Sequence, residues 1–161
     1  MSKVRGIGSG KIKKITGIKK ISGGREPTKI IEEFMHRRGF DPAACLQQRT
    51  NQLAQWLLPL NDQEDLEITI EGLNRPVETT LYIGVNVMSV PLRDTSKFTY
   101  AALLVADTLI GAKLSIVNYD LVLSITINTA DFTVDEVEYY FEMITRQKTT
   151  VIDSITEEVY G

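Results

Sequence analysis

The chain has 161 residues, of which 43% are hydrophobic and 24% are charged, and its formal net charge is −3. This composition is ordinary for a globular protein, and the length predicts one domain with an extension. The single cysteine, Cys45, excludes an internal disulfide, and no stretch approaches the roughly 20 apolar residues of a transmembrane helix. The basic N-terminus lacks the apolar core and cleavage site of a secretion signal, so we expect a cytoplasmic protein.

The charge is divided between two parts of the chain. The first 25 residues contain eight Lys or Arg and no acid, whereas the rest contains ten basic and 21 acidic residues. A cationic segment is attracted to anionic surfaces, while an acidic body stays soluble and presents its own surface to partners. We therefore expect a flexible or extended basic arm over residues 1–26 and a single folded domain over residues 27–161.

The arm contains a near-repeat, because KKITGI is followed directly by KKISGG. Its isoleucines recur every third residue, a spacing that spirals around an α-helix, and six glycines further oppose a helix. We expect the isoleucines to dock on a partner while the lysines meet negative charge. The predicted partner-binding residues are Lys11, Ile12, Lys13, Lys14, Ile15, Ile18, Lys19, Lys20 and Ile21.

Four roles are compatible with this arm. Docking into a large assembly would use both the isoleucines and the charge, and the regular isoleucines favour this role. The alternatives are nucleic-acid binding through sequence-independent phosphate contacts, attraction to anionic lipid, and simple solubilisation of the body.

The body begins with two predicted helices. Pro27 is a suitable first helical position, and Gly39 is a suitable stop. A second helix is expected from Pro42, with Asp41 as its N-cap, to Pro59. The apolar side of this second helix would consist of Leu46, Leu53, Trp56, Leu57 and Leu60.

The pattern then changes to a period of two. Leu66, Ile68 and Ile70 alternate with polar residues, which predicts a half-buried strand. A GLNRP turn at residues 72–76 leads to a second strand over Val77–Val87, and the short link predicts a hairpin. Several acidic residues are expected on the outer side of the first strand: Glu64, Asp65, Glu67 and Glu71.

A third helix is predicted over about residues 96–110, with a glycine to end it. A third strand that starts at Leu114 and a polar turn at residues 118–120 follow. A fourth strand is then expected over residues 121–127, with Ser124 pointing outward.

The last helix has the strongest local signal in the chain. Thr133 and Glu136 have the spacing of a capping box, and Phe132 and Val137 have that of a hydrophobic staple. We expect the helix to end around Gln147–Thr150, where residues that favour strands follow. The whole order predicts an α+β fold in which helices flank a four-stranded antiparallel sheet, as α-α-β-β-α-β-β-α.

No catalytic, cofactor-binding or metal-binding residue is predicted. The segment GIGSGK (residues 6–11) lacks the first glycine and the final Ser or Thr of a P-loop. Cys45 and His36 could approach each other, but no third orienting group accompanies them, and they are too few for a zinc site. Acidic pairs such as Asp131 with Asp135 are typical of a solvated helix face. We therefore expect a protein that is not an enzyme and needs no cofactor.

The stretch YAALLVADTLIGAKLSIVNYDLVLSITINTADFTVDEVEYYFEMI (Tyr100–Ile144) resembles the second half of the type III secretion chaperone-like fold, including the YbjN-like proteins. The likeness rests on a helix with a small-residue and leucine face, a short strand, a polar turn, a strand resembling LVLSxxI and a threonine-capped helix. In pattern and order it extends over about residues 66–160. The resemblance implies a small cytosolic α+β protein, often a homodimer, that binds other proteins and has no catalytic residues. Secretion chaperones of this fold hold non-globular segments of their clients along hydrophobic patches.

These observations predict a non-enzymatic adaptor or chaperone-like protein. Its folded body would bind a protein partner or a second copy, and its arm would anchor it in a larger assembly. The alternative is a nucleic-acid-binding accessory protein that uses the arm for phosphate contacts.

Overall fold

The computed structural model describes residues 25–128 and 130–161, so the predicted partner-binding residues of the arm, Lys11 to Ile21, lie outside the described residues. A single 3-10 turn at Pro76–Glu78 precedes the fourth strand. The other elements, in chain order, are α1 (Pro27–Arg37), α2 (Pro42–Cys45), β1 (Leu46–Arg49), β2 (Leu53–Asn61), β3 (Glu64–Glu71), β4 (Thr80–Ser89), α3 (Thr95–Thr108), β5 (Lys113–Val117), β6 (Asp120–Ile127) and α4 (Val134–Tyr160).

The strands form one antiparallel sheet in the order β1-β2-β3-β4-β6-β5. Helix α4 packs on β4 and β6, and both α1 and α3 pack against α4. The core lies between this helix layer and one face of the sheet. Its largest fully buried side chains are Trp56, Phe34 and Phe98. The α+β class with an antiparallel sheet and helices is confirmed.

The predicted number of four strands is wrong, because the segment predicted as a second long helix forms β1 and β2. Only one helical turn, α2, follows Asp41, whose side chain accepts a hydrogen bond from the backbone N–H of Ala43 at 3.0 Å. From Leu53 onward every second residue is buried, and Trp56 lies opposite Ile68 of β3. Over the described residues the sheet therefore has six strands.

The spacing of the leucines in this segment is compatible with the period of a helix and with that of a strand, and the tertiary structure selects the strand. Leu53 and Leu57 are only half-buried, whereas Ala54, Trp56 and Leu58 fill the core. As a strand, the segment extends the sheet and covers α2, which a helix at this position could not do with the same side chains. Pro59 is tolerated because it lies beyond the end of β1 and beside a register shift.

The last helix is longer than predicted. It continues past Gln147–Thr150 to Tyr160, because Val151, Ile155 and Val159 extend its buried stripe at intervals of four residues. Burial of this stripe outweighs the weak helix preference of the β-branched residues in it. Among the described helices, none combines the length and apolar character needed to cross a membrane.

Several local predictions are confirmed. The capping box of Thr133 and Glu136 is formed in both directions, at 2.7 and 3.2 Å. Asn118 and Tyr119 have φ values of 50° and 66°, as a two-residue hairpin turn between β5 and β6 requires. The β3–β4 hairpin is also present, although Val77 belongs to the 3-10 turn rather than to the strand.

Candidate protein-binding surfaces

The cysteine and histidine that the sequence singled out do not have the properties of a reactive pair. Cys45 is buried, and burial raises the pKa of its thiol, with the charges of Asp41 and Asp65 adding to the rise. A raised pKa lowers the fraction of thiolate, whereas a catalytic cysteine needs a larger thiolate fraction. His36 is exposed near the end of α1. Within residues 25–128 and 130–161, no group of three or more His, Cys, Asp or Glu could hold a metal ion.

The acidic face of α4 joins this helix to α1. The Arg37 guanidinium lies 3.2 Å from a carboxylate oxygen of Asp135, and Arg38 pairs with Glu142 while its guanidinium stacks 5.1 Å from the ring centroid of Phe141. These carboxylates are solvent-exposed, so each pair contributes little to stability by itself. The arginines of α1 thus already pair with the acidic face of α4, and we assign this face no binding role.

An exposed apolar surface lies at the β5 end of the molecule. One face of α3 enters the core through Phe98, Ala101, Ala102 and Val105. A second apolar stripe on the same helix points to solvent, and the connection to β5 and β5 itself continue it. We call this set the α3–β5 surface: Tyr100 (64% exposed), Leu103 (65%), Leu104 (42%), Ile110 (84%) and Ile116 (51%).

The sequence contained a signal for this surface. Tyr100, Leu103 and Leu104 are spaced i, i+3, i+4, so α3 has two apolar stripes rather than one. A helix that is apolar on two sides is normally covered on both. From periodicity alone, Tyr100 could be core or interface, and only the structure shows that it faces outward.

Strand β5 adds an open edge to the α3–β5 surface. Among the described strands it pairs only with β6, so its other side presents backbone N–H and C=O groups. Ile116 lies opposite Leu121 and therefore on the helix side of the sheet, next to α3. An open strand edge beside apolar side chains can accept an extended segment of another chain as an additional strand.

A second candidate surface is the face of the sheet that points away from the helices, which we call the open face. Its centre is Gly84, where a Cβ atom would lie 2.6 Å from Cζ and 2.8 Å from Cε1 of Tyr82. The tyrosine ring therefore lies over the glycine and beside Ser124, with which its hydroxyl is hydrogen-bonded. Ser124 is predicted to point outward and does, yet it is buried because neighbouring side chains of the open face cover it. Leu57 and Val122 add apolar area to this shallow groove.

The open face is acidic. Glu67 accepts hydrogen bonds from Gln55 (2.9 Å) and Thr69 (2.7 Å). The pKa of Tyr82 is raised mainly by its burial and then by the charge of Glu67, and the hydrogen bond with Ser124 opposes the rise. A cation approaching Tyr82 would thus meet a fixed carboxylate and an aromatic face.

No family model and no curated protein matches the chain. Among solved structures, it is similar to a chain of the HopA1–SchA chaperone–effector complex, with a TM-score of 0.52, 10% identity, and coverage of 78% of this chain and 91% of that one. It is also similar to a chain of the ExsC–ExsE complex, with a TM-score of 0.51, 13% identity, and coverage of 78% and 90%. A chain from the complex of the Yersinia pestis type III secretion chaperone SycH with a stable fragment of YscM2 has a TM-score of 0.51, 12% identity, and coverage of 78% and 98%.

At these identities the likeness shows the fold alone. The predicted likeness to the type III secretion chaperone fold is confirmed at the level of architecture. The YbjN-like part of the resemblance stays a prediction, as does the division of the chain into an arm and a body.

Proposed function

We propose that this chain is a non-enzymatic, chaperone-like adaptor whose folded body binds a segment of another protein through the α3–β5 surface. The observation that carries the proposal is the exposed apolar stripe of α3 beside the open edge of β5. The fold supports it, because similar architectures occur in a chain from a chaperone–effector complex and in a chain from a complex of a type III secretion chaperone.

The exposed area is large enough to matter for binding. Complete burial of a leucine gains roughly 1.5–3 kcal/mol. About two-thirds of the Leu103 side chain is still exposed, so covering it would contribute about 1–2 kcal/mol. Tyr100 is an aromatic side chain of the kind that dominates protein interfaces, and it is exposed to a similar degree.

The experiment compares two variants of the full chain in quantitative pull-downs from native cell extract. Leu103→Asp with Leu104→Asp places charge on the α3–β5 surface, and we expect the bound proteins to fall more than tenfold. Val77→Asp is the matched control, because Val77 is also apolar and is 79% exposed but lies in the turn before β4. If the double variant recovers as much bound protein as wild type, or if the control loses as much as the double variant, the α3–β5 surface is not the binding site.

A second copy of the chain is one candidate partner for the same surface. Light scattering of the purified full chain over a range of concentrations tests it directly. A dimer that the double variant abolishes identifies the partner as a second copy. A monomer at all concentrations assigns the surface to a different protein.

We further propose that the basic arm anchors the protein in a larger, cytoplasmic assembly. The regular isoleucines among its lysines support this role, since a purely electrostatic arm would not need them. Removal of residues 1–24 should leave the circular dichroism and melting temperature of the body unchanged and abolish recruitment of the assembly. Recruitment that survives the deletion contradicts the anchoring role.

Nucleic-acid binding is the second candidate function, and the eight cations of the first 25 residues favour it. Sequence-independent phosphate contacts lose affinity steeply with salt. A gel shift of any duplex at about 50 mM salt that disappears near 200 mM would support this function. A failure to shift at low salt would exclude it.

A further inference from the structure

We propose that the open face is a second binding site, which takes an arginine side chain from an extended segment of a partner protein. In this site the arginine guanidinium stacks on the ring of Tyr82 and pairs with the carboxylate of Glu67. The inference goes beyond the α3–β5 surface, because it concerns the other face of the sheet and does not depend on that surface.

The centre of the open face is an aromatic ring that lies over a glycine. Gly84 has no side chain, and the Tyr82 ring fills this space, with its Cζ 2.6 Å from the position that a Cβ atom of Gly84 would take. The tyrosine hydroxyl is hydrogen-bonded with Ser124, which lies opposite Gly84 in β6. Tyr82 is only half-buried and lines the groove. The ring is thus held in place while part of it stays accessible to a ligand.

A carboxylate lies beside this ring with one of its oxygens already held. Glu67 is opposite Gly84 in β3, one strand spacing of about 4.8 Å away. Its Oε1 accepts hydrogen bonds from Gln55 at 2.9 Å and from Thr69 at 2.7 Å. Among the described residues none donates a hydrogen bond to Oε2. The two bonds to Oε1 therefore orient the carboxylate and leave Oε2 for a ligand.

Arginine is the side chain that fits both the ring and the carboxylate. A guanidinium is planar, stacks on aromatic rings and donates several N–H groups to a carboxylate, whereas an ammonium is a strongly hydrated point charge. The chain already contains this arrangement, because the Arg38 guanidinium lies 5.1 Å from the ring centroid of Phe141 and pairs with Glu142. Tyr82 and Glu67 offer the same combination to a partner.

The surroundings of this site favour a positively charged ligand. Asp65 lies two residues before Glu67 on the same side of β3, about 7 Å away, and Asp120 lies at the β6 end of the groove. Among the described residues that line the groove, none is Lys, Arg or His. Lys113 of β5 faces the same side, opposite Ser124, but does not line the groove. The carboxylates therefore outnumber the cations on this face and attract an arginine.

Aliphatic side chains beside the site indicate what flanks the arginine in the partner. Leu57 of β2 lies opposite Glu67, Val122 of β6 lies opposite Asn86, and both line the groove. In an extended segment, residues two positions apart point to the same side and are about 7 Å apart. We therefore expect an aliphatic residue two positions before or after the arginine, in contact with Leu57 or Val122.

Nuclear magnetic resonance of the isotopically labelled full chain tests the site, because it detects weak binding of short peptides residue by residue. The probe is the peptide Val-Ser-Arg-Ser-Val with blocked ends, and the matched peptides carry lysine or neutral citrulline in place of the arginine. We expect the arginine peptide to shift the amide signals of Glu67, Gly84 and Ser124 most. The lysine peptide should bind more weakly, and the citrulline peptide should not shift these signals.

Substitutions on the open face separate the two contacts. Glu67→Gln keeps the shape of the side chain and should weaken binding of the arginine peptide about tenfold, since it removes a hydrogen bond to a charged group. Tyr82→Leu should weaken binding about two- to fivefold, whereas Tyr82→Phe keeps the ring and should bind like wild type. The matched control is Glu157→Gln, which removes a charge from the exposed side of α4 and should change nothing. Leu103→Asp with Leu104→Asp should also bind the peptide normally, so failure of the α3–β5 surface and failure of this site are distinguishable.

Several results would overturn the proposal. One is the absence of shifts on the open face, or equal shifts from the citrulline and arginine peptides. Another is unchanged affinity in Glu67→Gln while its melting temperature equals that of wild type. Equal affinities of the lysine and arginine peptides, or of Tyr82→Leu and Tyr82→Phe, would show that the ring is not part of the site. A dimer that light scattering detects and Glu67→Gln dissociates would assign the open face to a second copy instead.

Discussion

Lys148 provides the sharpest test of how the helix layer is attached to the sheet. Among the described residues it is the one charged side chain that is buried, and it forms an ion pair with Glu64 at the start of β3. The Lys148 side chain is 7% exposed, whereas that of Glu64 is 40% exposed and also accepts a hydrogen bond from Asn61 at 3.0 Å. The pair thus links α4 to the β2–β3 hairpin. The perturbations are Glu64→Gln, Lys148→Met and the double substitution.

The exposure of the two partners sets the expected magnitudes. Removing one member of a buried pair costs about 3–5 kcal/mol, whereas exposed pairs contribute about 0–1 kcal/mol. Because Glu64 is partly solvated, screening reduces its contribution, and we expect Glu64→Gln to lower the free energy of unfolding by about 2 kcal/mol. Lys148→Met keeps an unbranched apolar chain and removes the buried cation, so we expect a change within about 1 kcal/mol.

The ion pair also predicts a pH dependence. The pKa of Glu64 is lowered, first by its hydrogen bond with Lys148 and then by that with Asn61. A carboxylate with a lowered pKa contributes stability that is fully present above its unfolded-state pKa. This contribution is lost as the pH falls through the folded-state value, so the stability gap between wild type and Glu64→Gln should narrow on acidification.

Urea unfolding at several pH values measures these differences in the free energy of unfolding, provided that its slope with urea concentration is the same in all variants. The double variant should be close to Lys148→Met, because the glutamate no longer has a cation to neutralise. If Lys148→Met destabilises as much as Glu64→Gln, the buried cation stabilises the fold by itself and our reasoning is wrong. If the stability difference between wild type and Glu64→Gln grows at low pH, the pKa of Glu64 is not lowered in the folded state and the assigned direction is wrong.

Three further predictions concern local structure. Thr133→Ala removes the N-cap of α4 and should lower the free energy of unfolding by about 1 kcal/mol, measured by urea titration; no change would mean that the cap is dispensable. Gly72→Ala should cost more than Gly39→Ala in the same assay, since both have positive φ but only at Gly72 would the new Cβ lie 2.6 Å from the carbonyl oxygen of Glu78. The left-handed backbone conformation alone costs a residue with a side chain about 1–2 kcal/mol. Equal losses of unfolding free energy in the two variants would therefore exclude an additional clash at Gly72. Burial and the raised pKa of Cys45 predict that a thiol reagent labels the native protein at least about tenfold more slowly than the urea-unfolded chain; equal rates would contradict its burial.

Local sequence signals determined a large part of the fold. Alternation at Leu66, Ile68 and Ile70 fixed which side of β3 enters the core, because a period of two places successive side chains on opposite faces. The capping box fixed where α4 begins, since the groups that satisfy its first N–H donors are three residues apart in sequence. The interactions behind such signals join residues a few positions apart, so they can be recognised without information on the rest of the chain.

The candidate surfaces could be predicted only in part. The distribution of charge predicted an acidic body, and the resemblance to the type III secretion chaperone-like fold implied a protein-binding role. It did not show that Leu103 and Leu104 face solvent, because α3 has apolar residues on two sides and the sequence does not say which side the sheet takes. Likewise, the open face exists because the described helices that pack on the sheet all do so on the same side, which depends on contacts between distant segments.

Sequence by itself determined the α+β class, the two hairpins, the ends of α1 and the start of α4, since each depends on neighbouring residues. Only the tertiary structure decided that Leu53–Asn61 is a strand and that α4 continues to Tyr160. In both segments the local preference is weak or ambiguous. Burial of Trp56 against β3 and of Ile155 in the core then selects one conformation, because the free energy of that burial exceeds the small difference in intrinsic propensity.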